Sequence, residues 1–259
     1  MDMEIFHSHA SCLCTWGRTL PIRLTTAALF PNQRSGWSYG QHWPSGWPEL
    51  VHRMTPMLKS DPRPILLASG STVRAALLRN AGVSLQIVVP RIDEASIRAA
   101  LEADGASPRD IADALAEMKA RKVSDRQPDT LVIGCDQVLD LDGQILGKPR
   151  TGAEARAQIV ALRGRTHRLL SAAVVCHGGR PLWRHVGTAR LTMREVSDDY
   201  LDDYLTRNWP DIGNSAGAYK LESEGVRLFS RIDGDYFTIL GLPLIELLTW
   251  LSIRGDIAS

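Results

Sequence analysis

The alternation of short apolar runs with segments of helical periodicity, from Pro64 onward, constrains the fold most strongly. The runs 65–68 and 130–135 are apolar almost throughout, which is typical of strands with both faces covered. Two later segments alternate like strands and are joined by the glycine pair 178–179. The combination of strand–helix units with hairpins predicts an α/β protein with a mixed sheet and flanking helices.

The remaining elements follow from local signals. The segment 139–146 predicts a hairpin because Asp142-Gly143 favours the positive φ angles of a tight turn. Further strands are predicted at 85–89, 169–176, 181–194 and 226–232. Helices are predicted where the spacing is helical and Ser, Pro or Gly marks an end, at 72–80, 95–103, 108–123, 153–162, 197–206 and 244–251.

The charge of the chain is almost balanced, with 30 Lys and Arg residues, 29 Asp and Glu residues and a net charge of +1. This balance gives no support to broad nucleic-acid binding or to a polybasic membrane surface. No stretch reaches the roughly 20 apolar residues that span a bilayer. The four cysteines are too few and too scattered for a disulfide framework, which favours the reducing cytoplasm. A homodimer is expected because homodimers are common among soluble proteins, and no feature of the sequence indicates the oligomeric state.

Residues 1–60 differ in composition from the rest of the chain. They hold four of the seven tryptophans and few charged residues, and no helical or alternating period persists in them. We expect a disordered or adventitious extension here, followed by one domain at 61–259, with Met54 or Met57 as an alternative start. An aromatic interaction arm is the alternative interpretation.

The segment Ser69-Gly70-Ser71 lies between the run 65–68 and the helix predicted at 72–80. The N-terminus of a helix presents free N–H groups and a positive dipole end, which attract anions. Arg74 in the first turn would oppose that dipole, and a bound phosphate would neutralise it. Ser69, Ser71 and Arg74 are therefore candidate phosphate ligands. An ordinary N-cap with an exposed arginine is the alternative.

Two carboxylate-bearing segments are candidate metal or proton-transfer sites. Asp136 is placed at the carboxyl end of the run 130–135, where open α/β sheets bind ligands. A carboxylate there can hold a divalent cation or take a proton from water. Asp93 and Glu94 could join it around Mg²⁺ or Mn²⁺. Simple capping of a turn and of a helix start is the alternative for both segments.

Three lysines are candidate cations for a phosphate chain. Lys119 lies in the helix predicted at 108–123, Lys148 follows the hairpin 139–146, and Lys220 belongs to a later loop. Each could equally be a solvated surface charge. Three or four cations beside two or three carboxylates would suit a triphosphate that carries Mg²⁺.

Short motifs are distributed in a fixed order over about residues 64–251. The most informative are Leu67-Ala68-Ser69-Gly70-Ser71-x-x-Arg74, Asp93-Glu94, Lys119-Ala120, Gly134-x-Asp136, Gly147-Lys148-Pro149, Gly164-x-x-His167, Ala216-Gly217-Ala218-Tyr219 and Gly234-Asp235-Tyr236. In order and spacing they resemble the Maf family of nucleoside triphosphate pyrophosphatases. Each motif alone is weak, and residues 1–60 have no counterpart in the family.

The resemblance implies an α/β fold with two lobes around a cleft, similar to that of inosine triphosphate pyrophosphatases. It also implies a hydrolase acting on acid anhydrides, which converts a nucleoside triphosphate to the monophosphate and pyrophosphate with Mg²⁺ or Mn²⁺. Asp136 would accept the proton of the attacking water, and Glu94 and Asp136 would hold the metal. The phosphate chain would be bound by Ser69, Ser71, Arg74, Lys119 and Lys148.

Three departures from the common family pattern bear on the substrate. One arginine of the family's Ser-Pro-Arg-Arg is replaced by Val73, Gln137 follows Asp136, and Lys220-x-Glu222 replaces Gly-x-Gln. At these points the chain resembles the branch that acts on 7-methyl-GTP. Glu222 could accept N–H bonds from a guanine edge or face a methylated, positively charged purine, with Lys220 also in the substrate site.

Three alternatives stay open on the sequence. One is a dTTP or UTP pyrophosphatase of the same family, and another is a phosphomonoesterase, which would release orthophosphate. The third is a non-catalytic nucleotide-binding regulator of cell division.

Overall fold

A computed structural model of the chain describes residues 64–258. The expectations for residues 1–60 lie outside this range. Seven strands occupy Ile65–Ala68 (β1), Leu85–Ile87 (β2), Val132–Leu141 (β3), Gln144–Leu146 (β4), Thr166–His177 (β5), Arg180–Met193 (β6) and Phe229–Asp233 (β7). The α-helices occupy Thr72–Asn80 (α1), Glu94–Ala103 (α2), Pro108–Ser124 (α3), Gly152–Leu162 (α4), Asp198–Asn208 (α5), Tyr236–Ile239 (α6) and Leu244–Arg254 (α7).

The seven strands form one mixed sheet, as the alternation of elements predicts. Its order is β2-β1-β3-β5-β6-β7, with β4 paired to β3 outside this path. Strand β1 is parallel to both β2 and β3, whereas β3, β5, β6 and β7 are antiparallel to their neighbours. Parallel strand–helix units and antiparallel hairpins therefore share one sheet.

Apolar side chains from the sheet pack into separate groups. Alternate residues of β1, β3 and β5 point to opposite faces, one covered by α3 and the other by α1 and α7. Farther along the long strands, a third group packs against α4 and α5, with the buried Tyr204 among its members. The group packed against α3 and the group packed against α4 and α5 correspond to the two lobes expected from the resemblance. Residues of both groups line one cleft.

Local capping and turn signals are confirmed at the predicted ends. The hydroxyls of Ser71, Ser107 and Ser197 each accept a backbone N–H in the first turn of the helix that follows. The β3–β4 turn has φ angles of 52° at Asp142 and 92° at Gly143, as a tight hairpin turn requires.

The strand predicted at 130–135 differs from the observed one. Strand β3 continues to Leu141 because its second half pairs with β5 and with β4. Asp136 therefore lies in the middle of β3 and not at its carboxyl end. Its neighbour β1 ends at Ala68, which pairs with Gly134, so Asp136 still lies just beyond the end of the parallel part of the sheet.

Two other strands are shorter than predicted. Strand β2 ends at Ile87, and the first part of the segment 226–232 is a 3-10 helix, Glu224–Leu228, before β7 begins. The short helix α6 and a 3-10 helix at Asp211–Asn214 carry no clear sequence signal. Within the described residues, none of the helices combines the length and the apolar character needed to cross a bilayer.

Candidate functional site

A cleft of about 910 Å³ opens beside the end of β1 and the middle of β3. Of the candidate site residues that the sequence predicts, all but Asp93 line this cleft, although they are distributed over 154 positions of the chain. These are Ser69, Ser71, Arg74, Glu94, Lys119, Asp136, Lys148, Lys220 and Glu222. The fold therefore brings these nine residues to one surface.

The turn after β1 is organised by the two serines. The Oγ of Ser69 accepts the backbone N–H of Ser71 at 3.2 Å, and the Oγ of Ser71 accepts the N–H of Arg74 at 3.3 Å. Ser71 thus serves as the N-cap of α1, which was the alternative interpretation of this segment. Capping does not remove Ser71 from the site, because it also lines the cleft.

Arg74 connects three parts of the site. Its Nε donates to the carbonyl of Gly241 at 2.7 Å, and its Nη1 donates to the carbonyl of Cys135 at 3.1 Å and to the Oγ of Ser69 at 3.4 Å. These acceptors hold the guanidinium against β3 and the α6–α7 loop. All three are uncharged, so the positive charge of Arg74 still faces the cleft without a carboxylate partner among residues 64–258.

The centre of the site is an ion-paired group of Asp136, Lys119 and Glu94. The Nζ of Lys119 lies 2.6 Å from Oδ1 of Asp136 and 3.0 Å from Oε1 of Glu94. The side chains of Lys119 and Asp136 are each 7% exposed, whereas that of Glu94 is 44% exposed. Lys119 therefore offsets the charge of two carboxylates in a largely dry environment, where such contacts are stronger than in water.

The close approach of α3 to β3 makes this contact possible. At Gly134 a Cβ atom would lie 2.6 Å from the backbone N of Ala120 and would also collide with the carbonyl of Ala116. Only a glycine lets the helix pack this tightly on the strand. The packing places Lys119, which is on the buried face of α3, directly beside Asp136.

Asp93 and Glu94, adjacent in the sequence, take different roles. Asp93 caps α2, and its carboxylate accepts both the N–H and the hydroxyl of Ser96. These hydrogen bonds, the backbone one first, lower the pKa of Asp93. Asp93 does not line the cleft, so the capping interpretation is correct for it, whereas Glu94 faces Lys119.

The donor set around Asp136 can be compared with the needs of a divalent cation. Within residues 64–258, no cluster of three or more His, Cys, Asp or Glu side chains could hold a metal alone. The Oδ2 atom of Asp136 is buried and has no hydrogen-bond partner in that range. An unsatisfied carboxylate oxygen near a second carboxylate fits Mg²⁺, which commonly takes one or two carboxylates and completes its shell with substrate phosphates and water.

The outer part of the cleft is open and charged. Lys148 is exposed, and Lys220 is ion-paired with the exposed Asp211. Glu222 is exposed and makes no hydrogen bond or ion pair with the other described residues. A free carboxylate, a paired lysine and a free lysine therefore line this region, which we call the outer rim (Lys148, Asp211, Lys220 and Glu222).

The buried Tyr219 and His167 lie beneath the outer rim and are hydrogen-bonded to each other. Nε2 of His167 and the Oη of Tyr219 are 2.7 Å apart, and both side chains are buried although Tyr219 reaches the cleft. Burial lowers the pKa of His167 to about 4 and raises the pKa of Tyr219. His167 is therefore neutral at physiological pH and fixes the segment that precedes Lys220.

Several residues of the site are not identified by the sequence. Arg98, Arg150 and Asp211 also line the cleft. The sequence spacing could have identified Arg98 as a cleft residue, since it lies four residues after Glu94 on the same face of the helix. Gln137 was noted only as a departure from the family. Its Nε2 donates to the Oγ of Ser171 at 2.9 Å and to the carbonyls of Thr238 and Ile239, so it ties β3 to α6.

Comparison with known proteins identifies the family of the chain. The family profile described as "Maf-like protein" matches residues 64–253. A nucleoside triphosphate pyrophosphatase of Roseobacter denitrificans is 60% identical over 196 residues, which cover 76% of this chain and 98% of the relative. A 7-methyl-GTP pyrophosphatase of Mesorhizobium japonicum is 47% identical over 193 residues, which cover 74% of this chain and 97% of the relative.

Among solved structures, a HAM1 protein from Coxiella burnetii is similar with a TM-score of 0.38 and 17% identity, over 52% of this chain and 74% of that one. The family profile covers most of the chain, and relatives of high identity match over nearly their whole length. The chain therefore belongs to the Maf family.

Proposed function

We propose that the protein is a nucleoside triphosphate pyrophosphatase, which hydrolyses a nucleoside triphosphate to the monophosphate and pyrophosphate. The observation that carries this proposal is the buried Asp136–Lys119–Glu94 group at the end of a cleft lined by six cations and four carboxylates. The names of the relatives in Roseobacter and Mesorhizobium support the same reaction. Catalysis of phosphoryl chemistry depends mainly on positioning and charge stabilisation, which such a cleft supplies.

Asp136 is the proposed general base. Oδ1 is held by Lys119, which leaves Oδ2, without a hydrogen-bond partner among residues 64–258, as the atom that accepts a proton from water. The water then attacks the α-phosphorus, a new P–O bond forms, and the bond from the α-phosphorus to the bridging oxygen breaks. The electron pair leaves with pyrophosphate. Lys119 keeps Asp136 in place and offsets its charge beside the anionic substrate.

The phosphate chain is proposed to bind between the β1–α1 turn and the outer rim. Ser69 and Ser71 offer hydroxyl groups, and Arg74 offers a positive charge that no described carboxylate neutralises. Lys119, Lys148 and Lys220 supply further positive charge along the cleft. These cations stabilise the charge that accumulates on the leaving pyrophosphate.

Mg²⁺ or Mn²⁺ is the proposed cofactor, and Glu94 and Asp136 would hold it. When bound, the metal would act as a Lewis acid that polarises phosphoryl oxygens and offsets the charge of the triphosphate. The carboxylate of Glu94 is more exposed than that of Asp136, so it is the side chain that can turn toward an incoming cation.

A preference for 7-methyl-GTP is the proposed specificity. The exposed Glu222 has no partner among the described residues and can accept N–H bonds from a guanine edge or face a positively charged methylated purine. The likeness to the Mesorhizobium enzyme supports this choice. Hydrolysis of dTTP or UTP is the alternative within the family.

A cytoplasmic location and a homodimeric state belong to the same proposal. Cys135 and Cys176 are free and buried, and burial raises the pKa of each thiol to about 11. Such thiols are unreactive and compatible with a reducing compartment. Light scattering of the purified protein would measure the oligomeric state.

The test is product analysis with the purified full chain, Mg²⁺ and a panel of 7-methyl-GTP, GTP, dTTP and UTP. The expected products are the nucleoside monophosphate and pyrophosphate. In isotopically labelled water, the heavy oxygen is expected in the monophosphate, because the α-phosphorus is attacked. Release of orthophosphate would reject the reaction in favour of a phosphomonoesterase. Equal or faster turnover of dTTP and UTP would reject the 7-methyl-GTP preference.

A further inference from the structure

Arg98 is a cleft cation that belongs to none of the motifs discussed above. It lies on α2, four residues after Glu94, so the two side chains share one face of the helix. Like Glu94, it is half-buried and lines the cleft. The face of α2 that supplies a carboxylate to the central group thus also supplies a guanidinium to the cleft.

The charge of Arg98 is not balanced within residues 64–258. No Asp or Glu side chain in that range lies within ion-pairing distance of it, and its Nε is buried without a hydrogen-bond partner. A buried N–H that makes no hydrogen bond destabilises the fold. Among the other cleft cations, Lys119 is paired with Asp136 and Lys220 with Asp211, whereas Arg74 and Lys148, like Arg98, have no carboxylate partner among the described residues. The unused donors of Arg98 therefore point to an anionic ligand.

The position of Arg98 indicates which part of a phosphate chain it meets. Lys119 connects Asp136 to Glu94, and Arg98 lies one helical turn beyond Glu94 without contact to Asp136. Its Nη1 lies 3.4 Å from the point where a Cβ of Gly147 would be. Gly147 directly precedes Lys148, so Arg98 and Lys148 flank the same stretch of the cleft.

We infer that Arg98 binds the two outer phosphoryl groups, which leave as pyrophosphate. The planar fork of a guanidinium matches two phosphate oxygens and forms charge-assisted hydrogen bonds with them. The inference rests on the proposed function in one respect, namely that the cleft takes a phosphate chain. It adds Arg98 to Lys148 as a second binding cation at the leaving-group end.

Calorimetric titration of the purified full chain with inorganic pyrophosphate in the presence of Mg²⁺ tests this assignment without any turnover. Arg98→Gln is expected to weaken pyrophosphate binding about tenfold. Binding of 7-methyl-GMP and UMP, which lack the outer phosphoryl groups, is expected to stay within about twofold of wild type. Arg79→Gln is the matched control, because Arg79 is exposed on α1 outside the cleft and should change neither affinity.

A second variant separates binding from packing. Arg98→Lys keeps the positive charge and is expected to recover part of the affinity that Arg98→Gln loses. Unchanged pyrophosphate binding in Arg98→Gln would overturn the assignment. Equal loss for pyrophosphate and the monophosphates, or no recovery by lysine, would also overturn it. If the wild type hydrolysed no triphosphate, the proposed function would fail while the pyrophosphate result stood by itself.

Discussion

The central group and the outer rim of the cleft are built in opposite ways. In the central group, Asp136 and Lys119 are almost fully buried and joined at 2.6 Å. In the outer rim, Lys148 and Glu222 are exposed, and their side chains make no hydrogen bond or ion pair with the other described residues. The first region depends on tight packing of α3 on β3, whereas the second consists of loop side chains above the buried Tyr219.

This difference separates two tasks. A buried ion-paired group keeps one geometry before the substrate arrives, as catalysis requires. Exposed side chains on loops can differ between relatives with little effect on the fold, as selection of a substrate requires. We therefore expect substitutions in the central group to affect turnover and stability, and substitutions in the outer rim to affect the choice of substrate.

The largest effect is expected for Lys119→Met. The substitution leaves two neighbouring carboxylates, one of them buried, without their cation, and loss of one partner of a buried pair destabilises a protein by about 3–5 kcal/mol. Turnover is expected to fall about a thousandfold, because Lys119 positions the base and stabilises charge in the site. Denaturant unfolding and steady-state kinetics measure the two effects. Lys122→Met on the same helix is the control, because its Nζ bonds only the carbonyl of Arg91 outside the cleft.

The pH dependence of the free energy of unfolding tests the burial of His167 beneath the outer rim. Burial lowers the pKa of His167 to about 4 from 6.5, so the unfolded state binds more protons between these values. The contribution of neutral His167 to the free energy of unfolding is fully present above pH 6.5. It is lost as the pH falls through this window, by about 2 kcal/mol between pH 7 and pH 5. In His167→Gln this decrease should be smaller by about that amount in urea unfolding. An identical decrease in both proteins would contradict the burial argument.

Gly134→Ala tests the packing that brings α3 to the strand. The added Cβ meets backbone atoms of Ala116 and Ala120, which cannot move separately. We expect a loss of about 1–3 kcal/mol in the free energy of unfolding, together with a lower kcat because Lys119 is displaced. Gly152→Ala, whose Cβ would meet only Trp209 at 4.0 Å, is the control for a harmless methyl group.

Glu222→Gln should give the smallest effect, and only on selectivity. The ratio of kcat/KM for 7-methyl-GTP to that for UTP is expected to fall about tenfold, while stability stays within about 0.5 kcal/mol of wild type. A ratio that does not change would remove Glu222 from the proposed contact with the base. Kinetics with both nucleotides, on the same preparation, measure the ratio.

The sequence identifies residues that line one cleft, but it gives less accurate bounds for the strands that carry them. Ser71, Asp142-Gly143 and the helix at 72–80 follow from local rules of capping and turn geometry, and the structure agrees. The continuation of β3 beyond Cys135 depends on pairing with β5, whose paired residues are 28 to 36 positions away. The apolar run 130–135 therefore predicts a strand end at Asp136, although Asp136 lies in the middle of a longer strand.

Contacts between distant residues limit the prediction of the site in the same way. The lysine motif and the aspartate motif were recognised separately, but only the helix packing at Gly134 brings Lys119 to Asp136. The pairing of Lys220 with Asp211 has no sequence signal, because Asp211 begins a short 3-10 helix that no local pattern predicts. Arg98 could have been inferred from its spacing to Glu94, once Glu94 was assigned to the cleft.

Asp136→Asn tests whether Asp136 accepts the proton of the attacking water. Asparagine keeps the shape but cannot accept the proton, so turnover of 7-methyl-GTP with Mg²⁺ should fall about a thousandfold. Equilibrium binding of the nucleotide, measured without metal because Asp136 is also a proposed metal ligand, should be equal or tighter, because one negative charge near the phosphates is removed. Asp142→Asn in the exposed β3–β4 turn should leave both quantities unchanged. A near-native rate in Asp136→Asn would show that another group activates the water.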